Sequence, residues 1–365
     1  MGFDEGLVFE KRQRKTEEKS KSCGKDQNHV EKANDTNAIV KPGNNNDDEQ
    51  LYVVKRLRGR GMGCVATSKI PRGTRILAEA PLLIIPKVTT DIKAVEAVIM
   101  QGLKGLTRDQ QRSFFELANI HKRSCSPLIG ITRTNAMPFG SAGEEGGIFP
   151  RAARINHSCN PNSQNRWNHN LGKLTIHAFK DIEVGEEITI AYVDGAMNFG
   201  DRQLALEEAF GFHCSCELCS LPEEESEKRD SRVQEMLQLD SLLGDGRRTM
   251  SKPLACLRDA YTIFQMLNVE GISGSRIARV YNDALQIVIA HGDQARAKVF
   301  AEKAHAARVI LEGEDSAETM RLKALMEKPS SHGLFGSSKT WAQPVTAIPQ
   351  GLSEAEFDGW LWKRD

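Results

Sequence analysis

Three cysteines past the middle of the chain, Cys214, Cys216 and Cys219 in "FGFHCSCELCS", stand at C-x-C-x-x-C spacing. Two thiolates at C-x-x-C spacing grip one tetrahedral zinc, and the third is near enough to share it; a closed structural site then needs a fourth ligand. Cys159 is the first candidate for that ligand and His213 the alternative. A thioredoxin-type pair of Cys216 and Cys219 would need a βαβ context, and none surrounds them. Cys159 itself lies in "RINHSCNPN", residues 154–162, where Arg, Asn, His, Ser and Cys crowd together and nothing packs like a core. The stretch "VGEEITIAYVDG" ends a strand pattern at Tyr192, a residue that alone would read as core or rim. Gly61, Gly63 and Ala66 satisfy G-x-G-x-x-A after the strand-like "LYVV". A dinucleotide fingerprint of that kind needs a helix next, whose N–H groups receive a pyrophosphate. Pro71 and Gly73 break the chain first, so a glycine-rich turn that brings the backbone close to another ligand fits better.

The elements that position these groups are predicted as follows. Residues 1–50 are polar, rich in Lys, Glu, Asn and Asp, and contain "KPGNNNDDEQ". They cannot bury enough apolar surface to offset the entropy of ordering, so a disordered tail is expected. Within it "KRQRK", Lys11 to Lys15, reads either as an import signal or as a solvated cluster. Order begins at "LYVVKRLRGRGMGCVATSKIPRGTRILAEAPLLIIP", whose aliphatic runs punctuated by Gly and Pro predict short strands joined by turns. Residues 91–124, with Val95, Val98, Ile99, Phe114, Phe115 and Leu117, have helical spacing and predict a helical insert at about 88–147. Its end, "TRTNAMPFGSAGEEGGIFP", reads as loop. Strands return with "KLTIHAF" and "EEITIAYV", each alternating across a sheet face. After about residue 222, acidic "PEEESEKRD" reads as a linker or the start of a helix. Ile277, Val280, Tyr281, Ala284, Ile287 and Val288 fall on one stripe. Asp293 caps the next helix and Gly313 ends it. Tyr281, Gly292, Ala297, Ala301 and Ala304 approximate tetratricopeptide spacing, where small residues let antiparallel helices approach. Phe357, Trp360 and Leu361 in "EAEFDGWLWKR" are expected to dock a terminal segment onto the body.

The bulk numbers bound the function class. A chain of 365 residues has room for two cores or one large domain with appendages. With 49 basic and 49 acidic residues, global charge gives no reason to expect tight nucleic-acid binding. Eight cysteines are too sparse for a disulfide scaffold, and no secretory apolar run opens the sequence, so a reducing compartment is expected. No apolar run approaches the ~18 residues of a membrane span. Met1-Gly2 resembles a myristoylation start, but position 6 is Gly, and no anchor is expected.

Taken in order, "RGMG", "RINHSCNPN", "GEEITIAY" and "FHCSCELC" resemble the successive signatures of SET-domain protein lysine methyltransferases with a cysteine-rich post-SET element. The resemblance spans roughly residues 51–220. The helical C-terminal part, with "AHGDQARA" and "LEGEDS", is similar to that of the SMYD branch. One departure is that residues 65–150 hold one cysteine, Cys125, and one histidine, His121, so the MYND finger that the branch normally inserts is missing. The resemblance implies an α+β protein. A disordered tail over 1–50 precedes a β-rich SET domain of short strands over 51–209 with its helical insert. A post-SET segment follows over 210–222, then an all-α tetratricopeptide-like domain over 223–328 and a C-terminal tail over 329–365.

It also implies roles. Met62 and Gly63 would lend backbone contacts to S-adenosylmethionine, and Asn156 and His157 would hold its amino-acid part and adenine through side-chain amide and main-chain hydrogen bonds. Phe212 would cover the adenine ring. Cys159 would join Cys214, Cys216 and Cys219 around a structural zinc. Tyr192 would be the essential residue, orienting amine and methyl at the inner end of a narrow aromatic channel that favours neutral lysine by desolvation. A catalytically silent SET scaffold would be expected to lose Tyr192, Asn156 or His157, and all three are present. A zinc hydrolase would need an open metal position, which four cysteines close. Histone tails and cytosolic proteins both remain as substrates, and "EEESE", Glu223 to Glu227, reads as an acidic groove or a solvated linker. A monomer in nucleus, cytoplasm or both is expected.

Overall fold

The computed structural model describes residues 51–85, 91–139, 145–272 and 274–364. The polar tail and its "KRQRK" cluster lie outside the described residues. β1 (Tyr52–Leu57) and β2 (Gly61–Ala66) form an antiparallel hairpin. Its turn runs through Gly59 and Gly61 at φ of 72° and 71°, a left-handed backbone that side chains disfavour. β3 (Arg75–Glu79) and β4 (Leu83–Ile85) lead into α1 (Ile92–Lys104), α2 (Arg108–Phe115) and α3 (Pro127–Asn135). Asp91, Thr107 and Ser126 cap these helices by accepting from backbone N–H groups of the first turn. Ile99, Phe114 and Leu117 are buried against Leu83, Ile85 and Ile148, whereas Val98 and Phe115 of the predicted stripe lie on the exposed face.

The loop expected after α3 is instead two strands, β5 (Met137–Phe139) and β6 (Glu145–Ile148), paired with β4 as a small antiparallel sheet. Glycine content suggested loop, but Gly147 is a packing choice. A Cβ there would fall 2.5 Å from the Phe149 ring.

β7 (Asn156–His157), β8 (Ser163–Asn168), β9 (Lys173–Ala178) and β10 (Thr189–Ile190) complete the β-rich part. β3, β9 and β8 form one antiparallel sheet, and β7 pairs in parallel with β10. Leu174 to Ala178 are all buried, so β9 does not alternate between core and solvent as its sequence suggested. Its polar positions find partners inside. Thr175 Oγ donates to the Arg166 carbonyl at 3.2 Å, and Arg75 Nε donates to His177 Nε2 at 3.2 Å. Burial and the Arg75 charge push the His177 pKa down to about 4, so it is a neutral acceptor at pH 7.

α4 (Phe199–Phe210) ends on Gly211 at φ 72°. The remainder is helical: α5 (Glu223–Leu243), α6 (Gly246–Ser251), α7 (Pro253–Val269), α8 (Ser275–Ala290), α9 (Gln294–Glu312), α10 (Ala317–Glu327) and α11 (Glu354–Trp362). The acidic stretch is thus the first turn of α5, where carboxylates meet the positive end of the helix dipole. Val280, Ala284, Ile287 and Val288 of α8 face Ala297, Phe300 and Ala301 of α9, the small alanines allowing close approach. Trp362 docks the terminal segment, with its ring stacked on Phe264 (5.4 Å) and edge-on to Phe300 (4.8 Å). Of the expected anchors, Leu361 is fully buried and Phe357 and Trp360 pack at the margin.

The sheet and the helices meet through paired charges. Arg75 reaches Asp315 at 2.5 Å, and Arg166 and Arg308 both bind Glu312. Among the described residues no helix is long and apolar enough to cross a membrane.

Candidate active site

The sulfurs of Cys159, Cys214, Cys216 and Cys219 all lie within 4.8 Å of one another. Tetrahedral zinc with bonds of about 2.3 Å sets its sulfurs about 3.8 Å apart. The Cys159 sulfur lies 3.9 Å from that of Cys214 and 3.4 Å from that of Cys219, so the four residues fit such an ion. The crowded thiols perturb one another. Hydrogen bonding, with Cys159 the largest contributor, holds Cys214 and Cys216 below the ordinary cysteine value, while bonding toward Cys214 pushes Cys159 up. His213, the alternative ligand, points away to Glu207 at 3.5 Å. Gln203 on α4 fixes the segment by a double backbone bond to Cys214, donating to its carbonyl and accepting from its N–H, both at 2.8 Å.

Beside the cluster, the "RINHSCNPN" loop is stitched to the strand that carries Tyr192. Asn162 accepts from the Thr189 N–H at 2.9 Å and donates to the Glu187 carbonyl at 2.9 Å. The Asn156 amide donates to Glu187 Oε1 at 2.8 Å and to the Arg60 carbonyl at 3.3 Å. Arg60 in turn donates to the His157 carbonyl at 2.6 Å and pairs with Glu187 at 3.2 Å. Gly63 sits beneath this network, where a Cβ would fall 2.8 Å from both Asn156 Nδ2 and Glu187 Oε1. Met62 next to it is half-buried against the β core.

Tyr192 lies two residues beyond the end of β10. Its hydroxyl donates to the Ile155 carbonyl at 2.7 Å and its N–H donates to His157 Nδ1 at 2.9 Å. Burial raises the Tyr192 pKa well above the ordinary tyrosine value, so the phenol stays protonated at neutral pH. The Phe210 ring lies 4.7 Å from that of Tyr192, and Phe212 lies 6.1 Å from His157. Apart from His213, the residues given site roles in the sequence lie together, from the Met62–Gly63 strand through Asn156 and His157 to Tyr192, Phe212 and the cysteines. Arg60, Glu187 and Phe210 were missed as individuals. Arg60 and Glu187 stand inside the quoted "RGRGMG" and "GEEI", and Phe210 is the near half of an F-x-F pair.

Glu79 supports the loop from behind. Its carboxylate accepts from the Arg151 and Ala152 N–H groups, both at 2.9 Å, at the turn that leads into Asn156. Burial pushes its pKa up to about 7 from the usual 4.5. The folded state therefore holds this proton more tightly than the unfolded chain, and stability falls as pH rises through the window from 4.5 to 7. Urea denaturation at several pH values should show that slope in the wild type and a flatter one in Glu79→Gln. Equal slopes would remove Glu79 as the source.

Residues 61–193 match the SET domain family. Over 325 residues the chain is 34% identical to the histone-lysine N-methyltransferase set5 of Schizosaccharomyces pombe, an alignment covering 86% of this chain and 95% of that protein. The chain belongs to the SET-domain lysine methyltransferases. Shorter stretches resemble other members. Histone-lysine N-methyltransferase ATXR4 of Arabidopsis thaliana is 41% identical over 92 residues, 25% of this chain and 27% of that protein. Histone-lysine N-methyltransferase SMYD3 of Homo sapiens is 36% identical over 81 residues, 22% of this chain and 18% of that protein. This protein is thus a protein-lysine N-methyltransferase. The SET match stops at residue 193, and the Phe210–Cys219 segment that closes the site lies beyond it.

Proposed function

We propose that this lysine methyltransferase uses S-adenosylmethionine to methylate a lysine of a protein substrate, histone or non-histone, at Tyr192, with a structural zinc on Cys159, Cys214, Cys216 and Cys219. The observation that carries the reading is the convergence of Tyr192, Asn156, His157 and the cysteine cluster on one loop pair.

Bound S-adenosylmethionine would supply an electrophilic methyl on a sulfonium. The backbone of Met62 and Gly63, the Asn156 amide and the His157 main chain would hold it, and Phe212 would cover its adenine. Zinc would tie residues 210–220 to Cys159 and so set Phe212 and Phe210 in place. Tyr192 does the orienting. Its hydroxyl hydrogen is committed to the Ile155 carbonyl, so its oxygen offers lone pairs to an incoming amine N–H. That aims the amine's own lone pair at the methyl. Burial favours the protonated phenol, so the role assigned to Tyr192 is to orient the amine. The lysine proton leaves to water, helped by desolvation among Tyr192, Phe210 and Phe212. The protein would work as a monomer in the nucleus, the cytoplasm or both, without sequence-specific nucleic-acid contacts of its own.

The reading is tested by incubating purified protein with radiolabelled S-adenosylmethionine, mixed histones and a cell extract. Label on a protein lysine supports it, and histone bands against extract bands decide the substrate class. Failure of S-adenosylmethionine to bind in calorimetry would sink it and favour the silent scaffold. Gly63→Ala should weaken that binding about 5- to 150-fold, because the new methyl, 2.5 Å from Leu57 Cδ1 and 2.8 Å from Asn156 and Glu187, must displace that network at a cost of about 1–3 kcal/mol. Unchanged affinity would show that Gly63 and Asn156 do not face the cofactor.

A further inference from the structure

His157 is 2% exposed, so its ring does not reach into the space where a ligand would bind. Its ring nitrogens instead meet the Tyr192 backbone on one side and the cysteine sulfurs, Cys214 as well as Cys159, on the other. Nδ1 accepts from the Tyr192 N–H at 2.9 Å, and Nε2 stands 3.2 Å from the Cys159 sulfur. A backbone amide can only donate, so Nδ1 carries no hydrogen. The hydrogen of the neutral ring therefore sits on Nε2 and points at the sulfur, the one tautomer that uses both contacts. The ring also packs 5.3 Å from Tyr192 and 6.1 Å from Phe212.

We propose that His157 is a positioning residue that mechanically joins the cysteine cluster to Tyr192, donating to the Cys159 sulfur at one end and setting the Tyr192 backbone at the other. The inference rests on the zinc reading above. A thiolate bound to a metal keeps lone pairs for outer hydrogen bonds, and such bonds orient ligands and tune the affinity of the site. An imidazole held by a metal-bound sulfur cannot swing, so the amide that it receives cannot swing either. When the metal leaves, the Cys159 sulfur moves and the ring loses its anchor. Tyr192, which also packs beside the cysteine cluster, then loses its backbone acceptor. The state of the cluster would thus be read at the Tyr192 backbone through His157, beside the packing route through Phe210.

Two substitutions separate the ends. In His157→Asn the amide oxygen stands near the former Nδ1 and can still accept from Tyr192, but nothing reaches the sulfur. In His157→Gln the amide nitrogen reaches toward the former Nε2 and can donate to Cys159, but no acceptor remains for Tyr192. Zinc passing from the full-length protein to a chromogenic chelator should speed up about 10- to 100-fold in His157→Asn. In His157→Gln it should stay within about 3-fold of wild type, while turnover at saturating S-adenosylmethionine falls. Equal release by wild type and both variants, or equal acceleration in both variants, would overturn the link. A second measurement uses the wild type alone, should a variant not fold. The chain has four tyrosines, so ¹⁵N-tyrosine labelling gives a simple amide spectrum in which Tyr192→Phe assigns the peak. Chelation should move or broaden the Tyr192 amide, and a peak that ignores zinc removal would refute the coupling. Protein that holds no zinc even when supplied with it would defeat the zinc reading itself, and this inference with it.

Discussion

Replacing Tyr192 with phenylalanine is expected to lower methyl transfer about 100-fold, with the fold retained. The substitution removes one oxygen. The Phe210 ring, 4.7 Å away, and the backbone bond to His157 stay. The Ile155 carbonyl loses its partner, which costs about 1–3 kcal/mol if it stays dry. Each kcal/mol moves the melting temperature of a domain this size by about 2–4 °C, so heating curves should shift down by about 2–12 °C with no loss of cooperativity. The rate loss has a separate cause. Without the hydroxyl, an amine beside Tyr192 would lose its direction, and misdirection alone costs about two orders of magnitude. Turnover at saturating S-adenosylmethionine, beside a melting curve, checks the prediction. Full turnover would strip Tyr192 of its role, and collapse of the fold would make the role structural.

Removing the metal, by chelation or by Cys214→Ser, is expected to abolish turnover. A closed four-sulfur zinc site contributes on the order of 10 kcal/mol to the structure that it closes. Beyond the Gln203 bonds to Cys214, the segment from Phe210 to Cys219 has few buried contacts to hold it. Its cluster of buried residues is Cys159, Leu206 and Cys214, and beyond these only partly buried side chains pack around it. Without the ion, Phe210 and Phe212 are free to leave the site. Mass spectrometry for zinc, calorimetry for S-adenosylmethionine and a methyl-transfer assay on the same samples separate the steps. Zinc-free protein that still turns over at the wild-type rate would mean that the sulfurs fit an ion without needing one.

Much of the site was legible because chemistry-bearing residues are rare and ordered in the chain. Cys159 and the C-x-C-x-x-C run announce themselves by spacing, and Asn156, His157 and Tyr192 by their order around them. What the sequence concealed was direction. His157 reads as a cofactor-facing residue, yet its ring turns inward to Tyr192 and Cys159. Arg60 and Glu187 look like solvated charges until the fold places them 3.2 Å apart across Asn156. Periodicity served best where one face meets solvent, as in α8. It failed in β9, which is covered on both faces, and in β6, where glycine makes room for Phe149 and does not mark a loop.

The bonds that hold the site join distant parts of the chain. Arg60 to His157 spans 97 residues, Cys159 to Cys219 spans 60 and His157 to Tyr192 spans 35. Closing a loop costs chain entropy that grows only with the logarithm of its length, and that cost precedes any gain from the contact itself. Such contacts form late and slowly, since each must wait for remote segments to find one another. The catalytic loops are thus the last part of the β-rich region to be fastened during folding, and the first that a mild denaturant should loosen. Clipping Cys159 to Cys219 through an ion removes the freedom of a 60-residue loop from the unfolded chain, a constraint that for a permanent cross-link of that size is about 4 kcal/mol. An ion held by these four sulfurs would be as much a fastener of topology as a neighbour of the chemistry.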